Sequence, residues 1–235
     1  MLSTVSLRHP LTRALLVLTF TTGVIDAASY LGLGHVFTAN MTGNIVLLGF
    51  GIAGSGGLPV IAPLVSLAAF LAGSAMGGRM AAGMRTRTLH LSRAMLVEIG
   101  VVLLAAALAL LVDITPDRFS ADLMIALLAF GMGVRNATVR KLKVADLTTT
   151  VLTMTLTGLA ADSPLGGGDG EGSWRKTAAV LAMLVGAIAG ALLLKVHLAL
   201  VLALAATLAI LTWLVLVPAV GAAERATQEA EPGPR

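Results

Sequence analysis

Three ionisable residues of this chain stand inside long apolar runs, where lipid tolerates a charge only when something offsets it. Asp26 lies deep in the first run, Glu98 early in the fourth and Arg135 late in the fifth. A charge at such depth costs about 2.5–3.5 kcal/mol on insertion scales, so the group pairs, meets water, or serves a proton or ion pathway. The spacing suggests an Asp26–Arg135 pair; the competing arrangement has Arg135 snorkelling to lipid headgroups. Glu98, five positions after Arg93, reads as a helix-end carboxylate reaching water. Facing inward instead, it would be a proton-relay group.

The stretch Thr38-Ala-Asn40-Met-Thr42-Gly-Asn44 interrupts another apolar run. Glycine and side-chain amides permit an unwound backbone, which persists at membrane depth only where protein or a wet cavity surrounds it. A second odd segment, Leu147–Ala161, is bracketed by Asp146 and Asp162 to about 15 residues, too short to span. It opens with Thr148, Thr149 and Thr150. Paired interruptions of this kind place free backbone groups and polar side chains around a transported solute. The candidate solute-binding residues are therefore Asp26, Asn40, Thr42, Asn44, Arg135, Asn136, Thr149 and Thr150. The plainer reading is interhelical hydrogen bonding by Asn and Thr, worth about 0.6–2 kcal/mol per contact.

The elements that must position these groups follow from composition. Hydrophobic residues make up 57% of the chain against 12% charged, with mean hydropathy +0.94, more apolar surface than a soluble fold of this size can hide. Eight apolar segments can be drawn: Leu11–Leu33, Val36–Ala53, Leu58–Gly78, Ala94–Val112, Ser120–Val139, Leu147–Ala161, Thr177–Leu194 and Leu198–Val217. The expected fold is an all-α polytopic transmembrane bundle of six full spans plus two short or broken segments, the second and sixth; the alternative is eight spans. The six-span count puts Arg8, Arg13, the Arg79–Arg93 cluster, Arg140, Lys141, Lys143, Arg175 and Lys176 on the cytoplasmic side, leaving Arg118 and Lys195 outside, as the positive-inside bias requires. The first run continues past its small-residue patch and reads as a retained helix, not a cleaved signal.

Sliding the chain on itself by 110 positions aligns Phe20 with Phe130, Gly23 with Gly133, Val24 with Val134, Ala27 with Ala137 and Thr38 with Thr148; Asp26 falls opposite Asn136. At an offset of 113, Gly73 meets Gly186 and Gly77 meets Gly190, so two segments share a Gly-x-x-x-Gly face on which backbones can approach closely. The expected organisation is one membrane domain, residues 1–221, of two pseudo-repeats (about 11–113 and 120–219), with a disordered tail over 222–235. Three spans per half would make the repeats inverted; four would make them parallel.

The net charge of +4 sits in short inter-segment clusters without interleaved aromatics, which argues against a nucleic-acid partner. The chain has no cysteine, and His9, His35, His90 and His197 lack metal-ligand spacing. No nucleophile–base pair stands out, and Gly166–Gly168 lacks the lysine of a phosphate loop. The expectation is a non-enzyme with no catalytic residue, metal or cofactor.

From Gly23-Val-Ile-Asp26-Ala-Ala-Ser-Tyr30 through His35-Val-Phe-Thr-Ala-Asn40-Met-Thr-Gly-Asn44, the chain resembles the YoaK family of bacterial membrane proteins, domain of unknown function 1275. The resemblance runs from about Leu15 to Val217, with Arg135-Asn136 and Thr148–Thr157 fitting its second half. It implies a multi-pass protein of the bacterial inner membrane and carries over no activity and no site residue. The reading from the residues is a small permease or secondary transporter for a polar or anionic solute, with proton or cation coupling at Asp26. The alternative is a non-transporting scaffold or partner subunit, whose Gly-x-x-x-Gly faces would serve association with further copies.

Overall fold

The computed structural model describes residues 10–82, 86–112, 114, 119–142, 152–170 and 172–230. They form α1 (Pro10–Gly32), α2 (Met41–Ile52), α3 (Ile61–Ala82), α4 (Arg87–Leu111), α5 (Phe119–Leu142), α6 (Leu152–Ala161), α7 (Ser173–Leu194), α8 (Leu198–Leu211) and α9 (Val217–Ala230). Among the described residues, six stretches are long and apolar enough to cross a membrane: α1, α3, α4, α5, α7, and a sixth of 25 residues running from α8 into α9, Leu198–Ala222. With 12 and 10 residues, α2 and α6 extend about 18 and 15 Å, against a hydrocarbon core of about 30 Å. The architecture is therefore the six-span bundle with two short membrane segments. Large apolar side chains such as Leu71, Leu104, Leu110, Ile188 and Leu192 point outward, the face that lipid covers.

Local chemistry sets the helix boundaries. Pro10 opens α1, where a missing N–H costs nothing. Thr86 caps α4, its Oγ1 accepting from the Leu89 N–H at 3.3 Å, and His197 caps α8 by accepting from the Ala199 N–H at 3.1 Å. Between α8 and α9 the chain makes one wide π turn, Thr212–Leu216, in which the Val217 N–H reaches back to the Thr212 carbonyl. Pro218 follows. Its ring would clash with the carbonyl four residues earlier in a regular helix, and the inserted residue relieves that clash. The tail differs from expectation: α9 stays helical through Ala230, because Ala, Glu, Gln and Arg are good helix formers. Residues 231–235 lie outside the described set.

Two helix crossings organise the interior, α3 on α5 and α1 on α7. In the first, a Cβ placed on Gly73 would overlap the Phe130 carbonyl, and Gly77 lies against Val134 and Ala137. On the facing helix, Gly133 meets Phe70. In the second, Gly186 meets the Phe20 carbonyl, Gly190 lies against Val24 and Ala27, and Gly23 meets Met183. Adding 110 to the α1 numbers gives the α5 residues of the first crossing, and adding 113 to the α3 numbers gives the α7 residues of the second. Both Gly-x-x-x-Gly faces are thus occupied within the chain.

The short helices sit near opposite ends of the bundle. α2 packs on the start of α3. α6 packs on the start of α7, where buried Lys176 donates to Asp162 and to the Gly158 carbonyl. Alternation of six spans gathers Arg13, Arg79, Arg93, Arg140, Lys141, Arg175, Lys176 and Arg225 at one side, which the positive-inside bias predicts to be cytoplasmic. The cysteine-free background makes this testable with a membrane-impermeant maleimide on intact cells. Ser55→Cys, between α2 and α3, is expected to label from outside, and Leu165→Cys, fully exposed between α6 and α7, only after permeabilisation. Labelling of both from outside would contradict the six-span topology.

Candidate functional site

The broken segment after α1 is held by two side chains. Asp26 is 5% exposed; its Oδ1 accepts from the Thr38 N–H at 3.1 Å, the Ala39 N–H at 3.0 Å and the Thr38 hydroxyl at 3.4 Å. Those N–H groups have no helical partner, because the chain leaves α1 through Gly34 (φ 113°) and His35 (φ 58°). A histidine in the left-handed region is strained, and such strain persists only where surrounding contacts fix it. Here Tyr30 stacks on Phe37 with ring centroids 4.8 Å apart and meets the His35 ring edge-on at 5.4 Å.

Asn44, in the first turn of α2, supplies the other anchor. Its Oδ1 accepts from the Phe37 N–H at 2.9 Å, while Nδ2 donates to the Phe37 carbonyl at 2.6 Å and to Ser66 Oγ on α3 at 3.1 Å. Ser66 Oγ donates to the same carbonyl at 2.7 Å. Asn44 thus hydrogen-bonds both peptide groups of Phe37 and fastens them to α3. Asn40 caps α2 by accepting from Gly43 at 3.4 Å; both it and Thr42 are exposed.

Asp26 offers a direct test of this anchoring. Asp26→Asn keeps an oxygen that can accept both backbone N–H groups and is expected to stay within about 1 kcal/mol of the parent, whereas Asp26→Ala leaves them unpaired and is expected to lose about 1–3 kcal/mol. Thermal unfolding in detergent reads the difference; equal losses for the two variants would mean that Asp26 does not hold the loop through these bonds.

Arg135 does not pair with Asp26, nor does it snorkel. It is 2% exposed, and its Nη1 bonds Glu98 Oε1 at 2.9 Å while Nη2 donates to Thr22 Oγ1 at 2.7 Å and contacts Met132 Sδ at 2.9 Å. Glu98 is fully buried, correcting its reading as a helix-end carboxylate. The apolar run suggests a start at Ala94, but α4 begins at Arg87 under the Thr86 cap, which places Glu98 about three turns into the helix. The threonine cap was the available signal. Thr22 was also missed, since nothing in its own segment marks it as the acceptor for an arginine on α5.

The cluster Thr22–Arg135–Glu98 joins α1, α5 and α4 near mid-span. Thr138 and His90 continue it along α5 and α4, 3.2 Å apart. Three buried atoms here, Glu98 Oε2, Arg135 Nε and Asp26 Oδ2, have no hydrogen-bond partner among the described residues. Asn136 is half-buried beside Arg135 on α5. Thr149 and Thr150 lie outside the described residues. Asp26, Glu98 and Arg135 are all buried, and a pocket of about 400 Å³ lies elsewhere, between the start of α4 and the π turn.

A family model described as a protein of unknown function, DUF1275, matches residues 14–215. The UPF0700 transmembrane protein YoaK of Bacillus subtilis (strain 168) is 36% identical to this chain over 149 residues, 62% of the chain, and the match spans 64% of that relative's length. No solved structure matches.

Proposed function

The chain belongs to the DUF1275 family of proteins of unknown function, and from that premise we propose that it is a secondary transporter of the bacterial inner membrane that carries a small anionic solute together with a proton. One observation carries this reading: a guanidinium, Arg135, is held at mid-span by a single carboxylate, Glu98, with buried polar atoms of both left unpartnered. Ionisable groups retained inside a membrane bundle mark ion and substrate pathways more often than they mark glue.

The chemistry runs through these two side chains. A proton added to Glu98 removes the negative charge that holds Arg135, freeing a planar fork of N–H donors suited to a carboxylate or phosphate oxygen pair on the solute. One proton and one negative charge then occupy the site together, so the loaded interior gains no net charge. On the far side the anion leaves, Glu98 releases its proton, and the pair re-forms. Asp26 and Asn44 are positioning residues that fix the entry of α2. Asn40, Thr42, Asn136, Thr149 and Thr150 are further polar groups that the moving halves would present to the solute. No bond of the solute is made or broken, so the protein is not an enzyme.

The matching glycine crossings support reading the two halves as an inverted duplication, with α2 and α6 as corresponding elements near opposite membrane faces. Rocking of one half on the other about those crossings would open the enclosed site to each side in turn. The scaffold reading draws support from the burial of Asp26, which a transporter shares in its occluded state. It loses its association surface, since both Gly-x-x-x-Gly faces are used internally.

The test is uptake by liposomes containing the purified protein under an inward proton gradient, with a panel of small carboxylates, phosphate and sulfate. At least one anion is expected to accumulate, and Arg135→Gln to abolish its uptake. No transport of any member, or full uptake by Arg135→Gln, would contradict the proposal.

A further inference from the structure

The pocket between α4 and the α8–α9 span is independent of the transport site. It holds about 400 Å³ and is lined by Thr86 and Ser92 from α4, Trp213 and Leu214 from the π turn, and Gly221 and Arg225 from α9. Its depth is set by the two span ends, because the transmembrane stretch of α4 begins at Thr88 and that of α8–α9 ends at Ala222. It therefore opens at the boundary between hydrocarbon and water.

The pocket exists for local reasons. The π turn rotates the side chains that follow it, and Trp213 Nε1 donates to Ser92 Oγ at 2.9 Å, which props the ring across the cleft. Farther along, Gly221 lets α9 approach Thr88 closely, a Cβ there standing 3.2 Å from the threonine methyl. The π turn and α9 thus each touch α4, at the two ends of a gap that stays open between them. The walls are chemically divided: Leu89, Leu214, Val217 and Pro218 are apolar, while hydroxyls of Thr86 and Ser92 and the exposed Arg225 guanidinium stand among them.

We propose that this pocket binds an anionic phospholipid, with its phosphate against Arg225 and the α4 hydroxyls and the upper part of one acyl chain against the apolar wall. Two features favour this occupant: the mouth of the site, at Thr86 and Arg225, lies at headgroup depth, and its charge complements a phosphate. Basic pockets between transmembrane helices on the positively charged side of a membrane protein select such lipids by the same electrostatics. A soluble anion would use the guanidinium but gain nothing from the apolar wall.

The experiment is native mass spectrometry of the detergent-purified full chain, titrated with dioleoyl phosphatidylglycerol, dioleoyl phosphatidylcholine, and glycerol phosphate as the headgroup alone. Phosphatidylglycerol is expected to bind at least about fivefold more tightly than phosphatidylcholine, the factor that one basic group near the surface contributes. Arg225→Gln should remove that selectivity, Arg225→Lys should restore most of it, and Leu214→Trp, which fills the apolar half from a side chain already 55% exposed, should weaken both lipids. Equal binding of the two lipids would overturn the proposal, as would unchanged selectivity in Arg225→Gln. Glycerol phosphate binding as tightly as the intact lipid would also overturn it, by making this a soluble-anion site.

Discussion

Arg135→Met is expected to destabilise the protein by about 3–5 kcal/mol, whereas the double variant Arg135→Met with Glu98→Leu recovers most of that loss and transports nothing. The asymmetry follows from burial. Glu98 is 0% exposed and its only ionic partner among the described residues is Arg135, so removing the arginine strands a carboxylate in a packed, lipid-enclosed interior. Replacing both members with apolar side chains removes the desolvation cost together with the attraction, which elsewhere proves neutral or stabilising by about 1–4 kcal/mol. Thr22 keeps a partner in both variants, because its hydroxyl also donates to the Leu18 carbonyl at 2.9 Å. Thermal unfolding in detergent reads stability, and liposome uptake reads function. A single variant as stable as the parent would mean that the pair is not buried as described. A double variant that transports would mean that the pair serves the fold alone.

Gly73→Leu and Gly186→Leu are expected to be the most damaging substitutions outside the charged cluster. A side chain at either position runs into a backbone carbonyl, Phe130 or Phe20, and a carbonyl cannot move aside as the tip of a flexible side chain can. Overpacking a well-fitted interior costs about 1–3 kcal/mol when side chains can adjust. Here the helices themselves must separate, so the expected loss is at or above the upper end of that range, with little folded monomer in size-exclusion chromatography. Gly78→Ala and Gly49→Ala are controls, since a Cβ at either meets nothing within 4 Å; both should elute and unfold as the parent does. Equal damage at Gly73 and Gly186 is expected, because the two crossings are built alike. If Gly73→Leu folded normally, close approach of α3 to α5 would not hold the bundle together.

Much of this fold was legible in the sequence, for identifiable reasons. Long charge-free runs mark spans because lipid selects against charge, and the two glycine pairs mark crossings because close approach demands missing side chains. The break was legible only in part: Thr38–Asn40 are unwound, but Thr42, Gly43 and Asn44 lie inside the first turn of α2, and the chain leaves helix earlier, at Gly34 and His35. The span count followed, since Asp146 and Asp162 leave too few residues between them to cross.

The partner of Arg135 was not legible. Asp26 and Glu98 are both carboxylates in apolar runs, and the choice between them is made by which helix lies against α5, a tertiary fact without a local signature. The start of α4 was misjudged because an apolar run that stops at Arg93 hides the helix that continues back to Arg87 under the Thr86 cap. Asn44 was identified as polar and important, but its role in holding Phe37 to Ser66 depends on the path of an irregular loop. The helical tail was lost for a related reason: Glu224, Glu229 and Glu231 look like a solvated terminus, while the intervening residues favour helix.

Asp26, singled out as the coupling carboxylate, has one oxygen committed to the α2 entry loop. In the proposed transport cycle the proton-carrying role therefore falls to Glu98, whose protonation would free Arg135. The most direct measurement is therefore uptake by Glu98→Gln protein in liposomes, compared with its exchange of labelled for unlabelled anion at equilibrium. Retained exchange together with loss of uphill accumulation under a proton gradient is the expected result; undiminished proton-driven accumulation would contradict it.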